Sequence, residues 1–166
     1  MSPAIALIGA PGAGKSTIGK SLAHALGLPF VDVDAAIETD EAMTIADIFV
    51  THGEPHFRQL EETATLVALD RGGVVALGGG AIMNADIRAA LRHHDVVWLD
   101  CSIATATKRV GLDSARPLLL GNVRGRLIRL LNERTPLYRE AATLTVSTDD
   151  VEPADVVAAI VTGLGR

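Results

Sequence analysis

Near the start of the chain, Gly9-Ala10-Pro11-Gly12-Ala13-Gly14-Lys15-Ser16-Thr17 spells a complete G-x-x-x-x-G-K-[ST] loop. Glycines at that spacing let successive backbone N–H groups converge on phosphate oxygens. A helix beginning behind them adds the positive end of its dipole. Gly12, Ala13, Gly14, Lys15, Ser16 and Thr17 are therefore expected to cradle the phosphates of a nucleoside triphosphate. Lys15 has the reach to meet the β- and γ-phosphates, and the Ser16 hydroxyl is a ligand for Mg²⁺.

Three downstream clusters carry chemistry of their own. Asp32 and Asp34, in Val31-Asp32-Val33-Asp34, close a strand candidate; read as strand, they share one face and point together towards the γ-phosphate. One carboxylate would serve Mg²⁺ through water while the other takes a proton from an acceptor hydroxyl; the alternative is a turn with an N-cap for the segment from Ala35. Arg58 and Glu61 lie i and i+3 at the opening of a long helix, where the acid would fix the guanidinium fork to receive a substrate carboxylate. An exposed ion pair of little energetic weight is the other reading of that pair. Gly78-Gly79-Gly80 follows a strand candidate directly, so a ligand can approach the backbone and its N–H donors closely; a plain flexible turn is the alternative. Arg116 and Arg134 fall in segments with no regular pattern, suited to a loop that closes over phosphates.

Short apolar runs must hold these groups in place. Strand candidates at 4–8, 30–33, 74–77, 96–99 and 144–146 alternate with amphipathic stretches, the clearest at 15–26, 54–70, 85–92, 125–133 and 153–164. That alternation predicts an α/β fold with a five-stranded parallel sheet covered by helices on both faces. Right-handed crossovers then gather Gly9, Asp32, Gly78 and Asp100 along one sheet edge, where ligands bind in such folds. The Gly- and Pro-punctuated stretch 111–125 is the candidate for a mobile lid.

The 166 residues are expected to form one domain over 1–166, with a sizeable core. Fifteen basic against 20 acidic residues leave a net charge of −5, which argues against a nucleic-acid partner. Cys101 is the single cysteine, so no internal disulfide forms, as in a reducing compartment. No apolar run approaches a membrane span and no signal core opens the chain; a cytoplasmic, monomeric enzyme is the expectation.

In their order along the chain, these motifs resemble the shikimate kinases, a family of small-metabolite P-loop kinases. The resemblance rests on the loop at 9–17, D-x-D at Asp32 and Asp34, G-E-x-x-F-R-x-x-E at 53–61, the triple glycine at 78–80, R-P-L-L from Arg116 and R-x-P-L-Y from Arg134. It spans the chain from Ile5 to about Val157. It implies a three-layer α/β/α P-loop kinase fold and phosphorylation of the 3-hydroxyl of shikimate by ATP with Mg²⁺, in aromatic amino-acid biosynthesis. By the same resemblance Asp34, Lys15 and Arg116 are catalytic, and Ser16 with Asp32 organises the metal. Asp34, Arg58, Gly79, Gly80 and Arg134 would hold shikimate, with Phe49 and Phe57 lining its pocket and a helical segment at about 34–61 built around it. Arg109 and Pro153 would flank adenine. Asn122 and Arg124 have no obvious family counterpart.

A gluconate kinase or a nucleoside monophosphate kinase is the nearest rival; the Arg58/Glu61 helix and the triple glycine favour shikimate. A GTP-dependent switch needs an N-K-x-D tetrapeptide, and none occurs. Retention of Lys15, Ser16, Asp34 and Arg116 argues against a non-catalytic homologue. His52, His56, His93 and His94 are expected to be surface or cap residues, whereas Cys101 and Trp98 should pack in the core. Tyr138 is expected to be structural.

Overall fold

Along the central strand β1 (Ile5–Ile8), side chains alternate between two cores. Ile5 and Leu7 enter one cluster, Ala6 and Ile8 the other, and all four residues are buried. Burial on both faces is why such strands read as unbroken apolar runs. The computed structural model describes residues 2–111 and 123–166. After β1 come α1 (Lys15–Leu26), β2 (Phe30–Asp32), α2 (Val33–Glu41), α3 (Ile45–His52) and α4 (Glu54–Arg71). Then follow β3 (Val74–Ala76), a 3₁₀ turn (Ala81–Met83), α5 (Ala85–Leu91), β4 (Asp95–Asp100) and α6 (Ile103–Gly111). The chain continues with α7 (Val123–Ala141), β5 (Leu144–Ser147) and α8 (Pro153–Gly163).

Among the described residues the strands form one parallel five-stranded sheet in the order β2-β3-β1-β4-β5. Ile18 and Leu22 of α1 and Val156 and Ile160 of α8 cover one face. Ile37 of α2, Ile48 of α3, Phe57 and Leu69 of α4 and Ile87 of α5 cover the other. The expected three-layer α/β/α architecture is therefore present. Because β3 and β4 flank β1, the chain changes side of the sheet at β1. Crevices form outside the carboxyl ends of strands at such a switch point. The loop after β1 opens into that crevice.

All five expected strands are present, displaced at their ends by a residue or so. Asp32 and Asp34 do not share a strand. The strand stops at Asp32, because the Asp32 carboxylate accepts from Ala35 N–H and starts α2 as its N-cap. Asp34 therefore sits in the first turn of a helix, and helical geometry sets its direction. Arg134 was expected in an irregular segment and instead lies inside α7, which runs well past the expected 125–133 and through Pro136. Proline removes one helical N–H. Buried Leu127 and Tyr138, about three turns apart, hold the helix on both sides of that defect. Most of the expected lid at 111–125, and all of Arg116, lie outside the described residues.

Candidate active site

The phosphate loop joins β1 to α1. Gly14 takes φ 91° as the cap residue of α1, a conformation that a side chain would strain. The Lys15 ammonium curls back over the loop and donates to the carbonyls of Gly9 at 2.8 Å and Ala10 at 3.0 Å. At the foot of the loop, the Ser16 hydroxyl donates to the second oxygen of the Asp32 carboxylate. Asp32 thus links the loop to the start of α2, and in doing so places Asp34.

Across the crevice, the triple glycine is crowded by charge. A Cβ on Gly78 would lie 2.7 Å from Glu61 Oε2 and 2.9 Å from Asp34 Oδ1. On Gly80 it would lie 2.5 Å from Arg58 Nη1, and on Gly79 3.4 Å from Arg134 Nη1. The glycines are what allows two carboxylates and two guanidinium groups to close on one strand end. Buried Glu61 accepts from Arg58 Nη1 at 2.8 Å, and exposed Glu54 adds a longer pairing at 3.4 Å. Burial alone would lower the Arg58 pKa, but its hydrogen bond to Glu61 and the charges of Glu61 and Glu54 outweigh that and raise it. A fixed cation results, presented in one orientation. Arg134 approaches from α7, and its Nε is buried with no hydrogen-bond partner. An unsatisfied cationic donor is costly unless a ligand completes it.

A cavity of about 400 Å³ lies between the two halves. Gly12, Lys15 and Ser16 line it from the loop, and Asp34, Gly78 and Gly79 from the opposite side. Arg109 closes the rim, donating to Gly12 O at 2.9 Å and to Thr148 O at 3.1 Å, so that it ties α6 to the loop and to the segment after β5. Beside it, Gly14, Thr17, Arg109 and Pro153 share a second depression of about 240 Å³. Loop, acids, arginines and Pro153 are thus brought to one edge of the sheet. Phe57 is buried and stacks on Phe49 with ring centroids 5.0 Å apart; neither is among the residues lining the main cavity.

The residues set aside behave differently from one another. Cys101 and Trp98 are buried, and burial pushes the Cys101 thiol pKa up, away from nucleophilic character. His52 and His56 face each other at 4.8 Å, and no cluster of three metal-ligating side chains occurs among the described residues. His94 is more than a surface group: its Nδ1 accepts from Ala4 N–H at 2.9 Å. Tyr138 touches the site, donating its hydroxyl to the Gly79 carbonyl at 2.6 Å. Sequence reasoning missed that contact and the Thr148 anchor of Arg109. The i, i+4 spacing of Arg134 and Tyr138 was the one signal present, and it is visible only once α7 is known to run through Pro136.

A phosphate loop facing a pocket of acids and arginines, on a doubly covered parallel sheet, defines a P-loop kinase that acts on a small anionic metabolite. A family model described as shikimate kinase matches residues 11–164. The chain belongs to the shikimate kinase family. It is 54% identical over 154 residues to a shikimate kinase of Thermobifida fusca, covering 92% of this chain and 90% of that one. With a shikimate kinase of Rhodococcus jostii it shares 46% identity over 168 residues, covering both chains fully. The solved structure of the Acinetobacter baumannii shikimate kinase in complex with shikimate superposes with a TM-score of 0.93 at 38% identity, covering 99% of this chain and 93% of that one.

Proposed function

We propose that this chain transfers the γ-phosphoryl group of ATP to the 3-hydroxyl of shikimate, a step of aromatic amino-acid biosynthesis. The observation that carries the reading is the convergence of Arg58, Arg134 and Asp34 on the triple glycine, whose Gly78 and Gly79 line the cavity opposite Lys15. Shikimate bears one carboxylate and several hydroxyls. A guanidinium pair with one aspartate complements that pattern, and neutral sugars or nucleobases have no use for it.

In this reading Arg58, oriented by Glu61, and Arg134 grip the carboxylate, and Gly79 and Gly80 offer backbone N–H donors to the ring substituents. Asp34 holds the acceptor hydroxyl and takes its proton as the oxygen attacks the γ-phosphorus. Lys15 and Arg116 neutralise charge on the transferring group. Gly12, Ala13, Gly14 and Thr17 cradle the phosphates, with adenine held between Arg109 and Pro153. Ser16 and Asp32 supply two hard oxygen donors in contact, a set that fits Mg²⁺, which takes few protein ligands besides phosphate oxygens and water. When bound there, Mg²⁺ would neutralise phosphate charge. Phe49 and Phe57 back the substrate helices. The whole of 1–166 acts as one kinase domain, with the lid at about 111–125, as a cytoplasmic monomer; no helix among the described residues is long and apolar enough to cross a membrane.

A coupled assay with ATP, Mg²⁺ and a panel of shikimate, gluconate and nucleoside monophosphates tests the reading. Turnover with shikimate alone is expected. Turnover with another member of the panel and none with shikimate would overturn the substrate.

A further inference from the structure

Tyr138 lies one turn beyond Arg134 on the same side of α7. Its hydroxyl donates to the Gly79 carbonyl at 2.6 Å, and the Arg134 guanidinium one turn away sets a positive charge near the same phenol. A nearby cation polarises a phenol O–H and strengthens it as a donor, here to the Gly79 carbonyl. The ring itself is fixed: it is buried and stacks on Trp98 with centroids 6.0 Å apart. Burial pushes the phenol pKa up to about 12, so the hydroxyl keeps the proton it donates.

The consequence for a ligand lies in the peptide plane. In a trans peptide the carbonyl and the following N–H point opposite ways. Holding the Gly79 carbonyl against α7 therefore aims the Gly80 N–H away from that helix. Two successive glycines have little local preference for one orientation. No described residue accepts a hydrogen bond from the Gly79 or Gly80 N–H. Gly79 itself lines the cavity opposite Lys15. We propose that Tyr138 is a positioning residue for the acceptor: its hydroxyl locks the Gly79–Gly80 peptide so that the Gly80 N–H is presented to an oxygen of the bound anionic substrate. This rests on the acceptor reading given above.

Tyr138→Phe keeps the ring and its stack and deletes only the hydroxyl. Wild-type turnover of shikimate with ATP comes first, and its absence would refute the acceptor reading before Tyr138 is tested at all. With that turnover in hand, the variant should show a KM for shikimate raised about tenfold, the worth of one aimed hydrogen bond. Its KM for ATP should stay within about twofold. Trp98→Phe disturbs the same stack with the hydroxyl in place; it should lower the thermal midpoint and leave the shikimate KM within about twofold. Unaltered shikimate KM in Tyr138→Phe, an equal rise in both KM values, or the same selective rise in Trp98→Phe would overturn the proposal. Tyr138 is also the single tyrosine of the chain, so 3-fluorotyrosine labelling of the wild-type sequence places one ¹⁹F reporter on this ring, independent of any variant's folding. Shikimate should shift that resonance and ATP alone should leave it nearly in place; a resonance indifferent to shikimate would contradict the positioning role.

Discussion

Substituting Gly80 by alanine probes the acceptor half of the site with the smallest possible change. The added methyl would lie 2.5 Å from Arg58 Nη1, 2.8 Å from Nη2 and 3.0 Å from Cζ, so the whole guanidinium stands in its way. To reach the 3.4 Å of ordinary contact, Nη1 must withdraw by about 0.9 Å. A long side chain usually makes such a shift cheaply. Here Nη1 is tied to buried Glu61 at 2.8 Å, so the guanidinium cannot give way without distorting that hydrogen bond. A charge-assisted hydrogen bond is worth about 1.5–3 kcal/mol, part of which exposed Glu54 recovers on the other edge of the fork. The loss should appear mainly as a misplaced carboxylate grip, with the shikimate KM rising roughly 10- to 100-fold. Since the three atoms nearest the added methyl all belong to Arg58 and none to the phosphate loop, the KM for ATP should be unchanged. Steady-state kinetics with each substrate varied in turn gives the answer, and circular dichroism melting checks that the fold survives. A shikimate KM equal to wild type would refute the idea that Arg58 is held against Gly80 for binding.

Two further outcomes follow from other residues. Asp34→Asn should retain nucleotide binding in a fluorescent-ATP titration and lose about 10²- to 10⁴-fold in kcat, the range of general-base catalysis; an unchanged kcat would remove Asp34 from that role. His94 should make folding sensitive to mild acid. Burial, with the neighbouring charge of His93, lowers its pKa below the ordinary 6.5, and the ring must be neutral at Nδ1 to accept from Ala4 N–H. The unfolded chain then binds the proton more readily, so stability is full above pH 6.5, falls as the pH drops from there to the lower folded value, and levels beneath it. Urea midpoints between pH 7.5 and 5 should decline less in His94→Asn than in wild type, and parallel declines would count against it.

The central strands were legible because burial on both faces leaves short apolar runs, as in Ile5–Ile8 and residues 96–99. The phosphate loop was legible because its fixed Gly, Lys and Ser positions each have a backbone, charge or hydroxyl requirement of their own. Local capping chemistry was harder to read. Asp32 looks like the end of a strand until its carboxylate is seen to accept from Ala35 N–H, and that contact decides how Asp34 points. Pro136 gave a stop signal that the packing of Leu127 and Tyr138 overrides, which hid the placement of Arg134 and Tyr138 on one helix. The hydrogen bonds from Tyr138 to Gly79 and from Arg109 to Thr148 join residues far apart in the chain, and no periodicity encodes them.

The central claim is that Arg58, Arg134, Asp34 and the triple glycine form the acceptor half of a shikimate-phosphorylating site. A crystal structure of this protein with shikimate and a non-hydrolysable ATP analogue tests it most directly. The account predicts the substrate carboxylate between Arg58 and Arg134, a ring oxygen on the Gly80 N–H, and the 3-hydroxyl on Asp34 facing the γ-phosphate across Lys15. Shikimate bound with its carboxylate away from both arginines, or with no hydroxyl within hydrogen-bonding reach of Asp34, would contradict it.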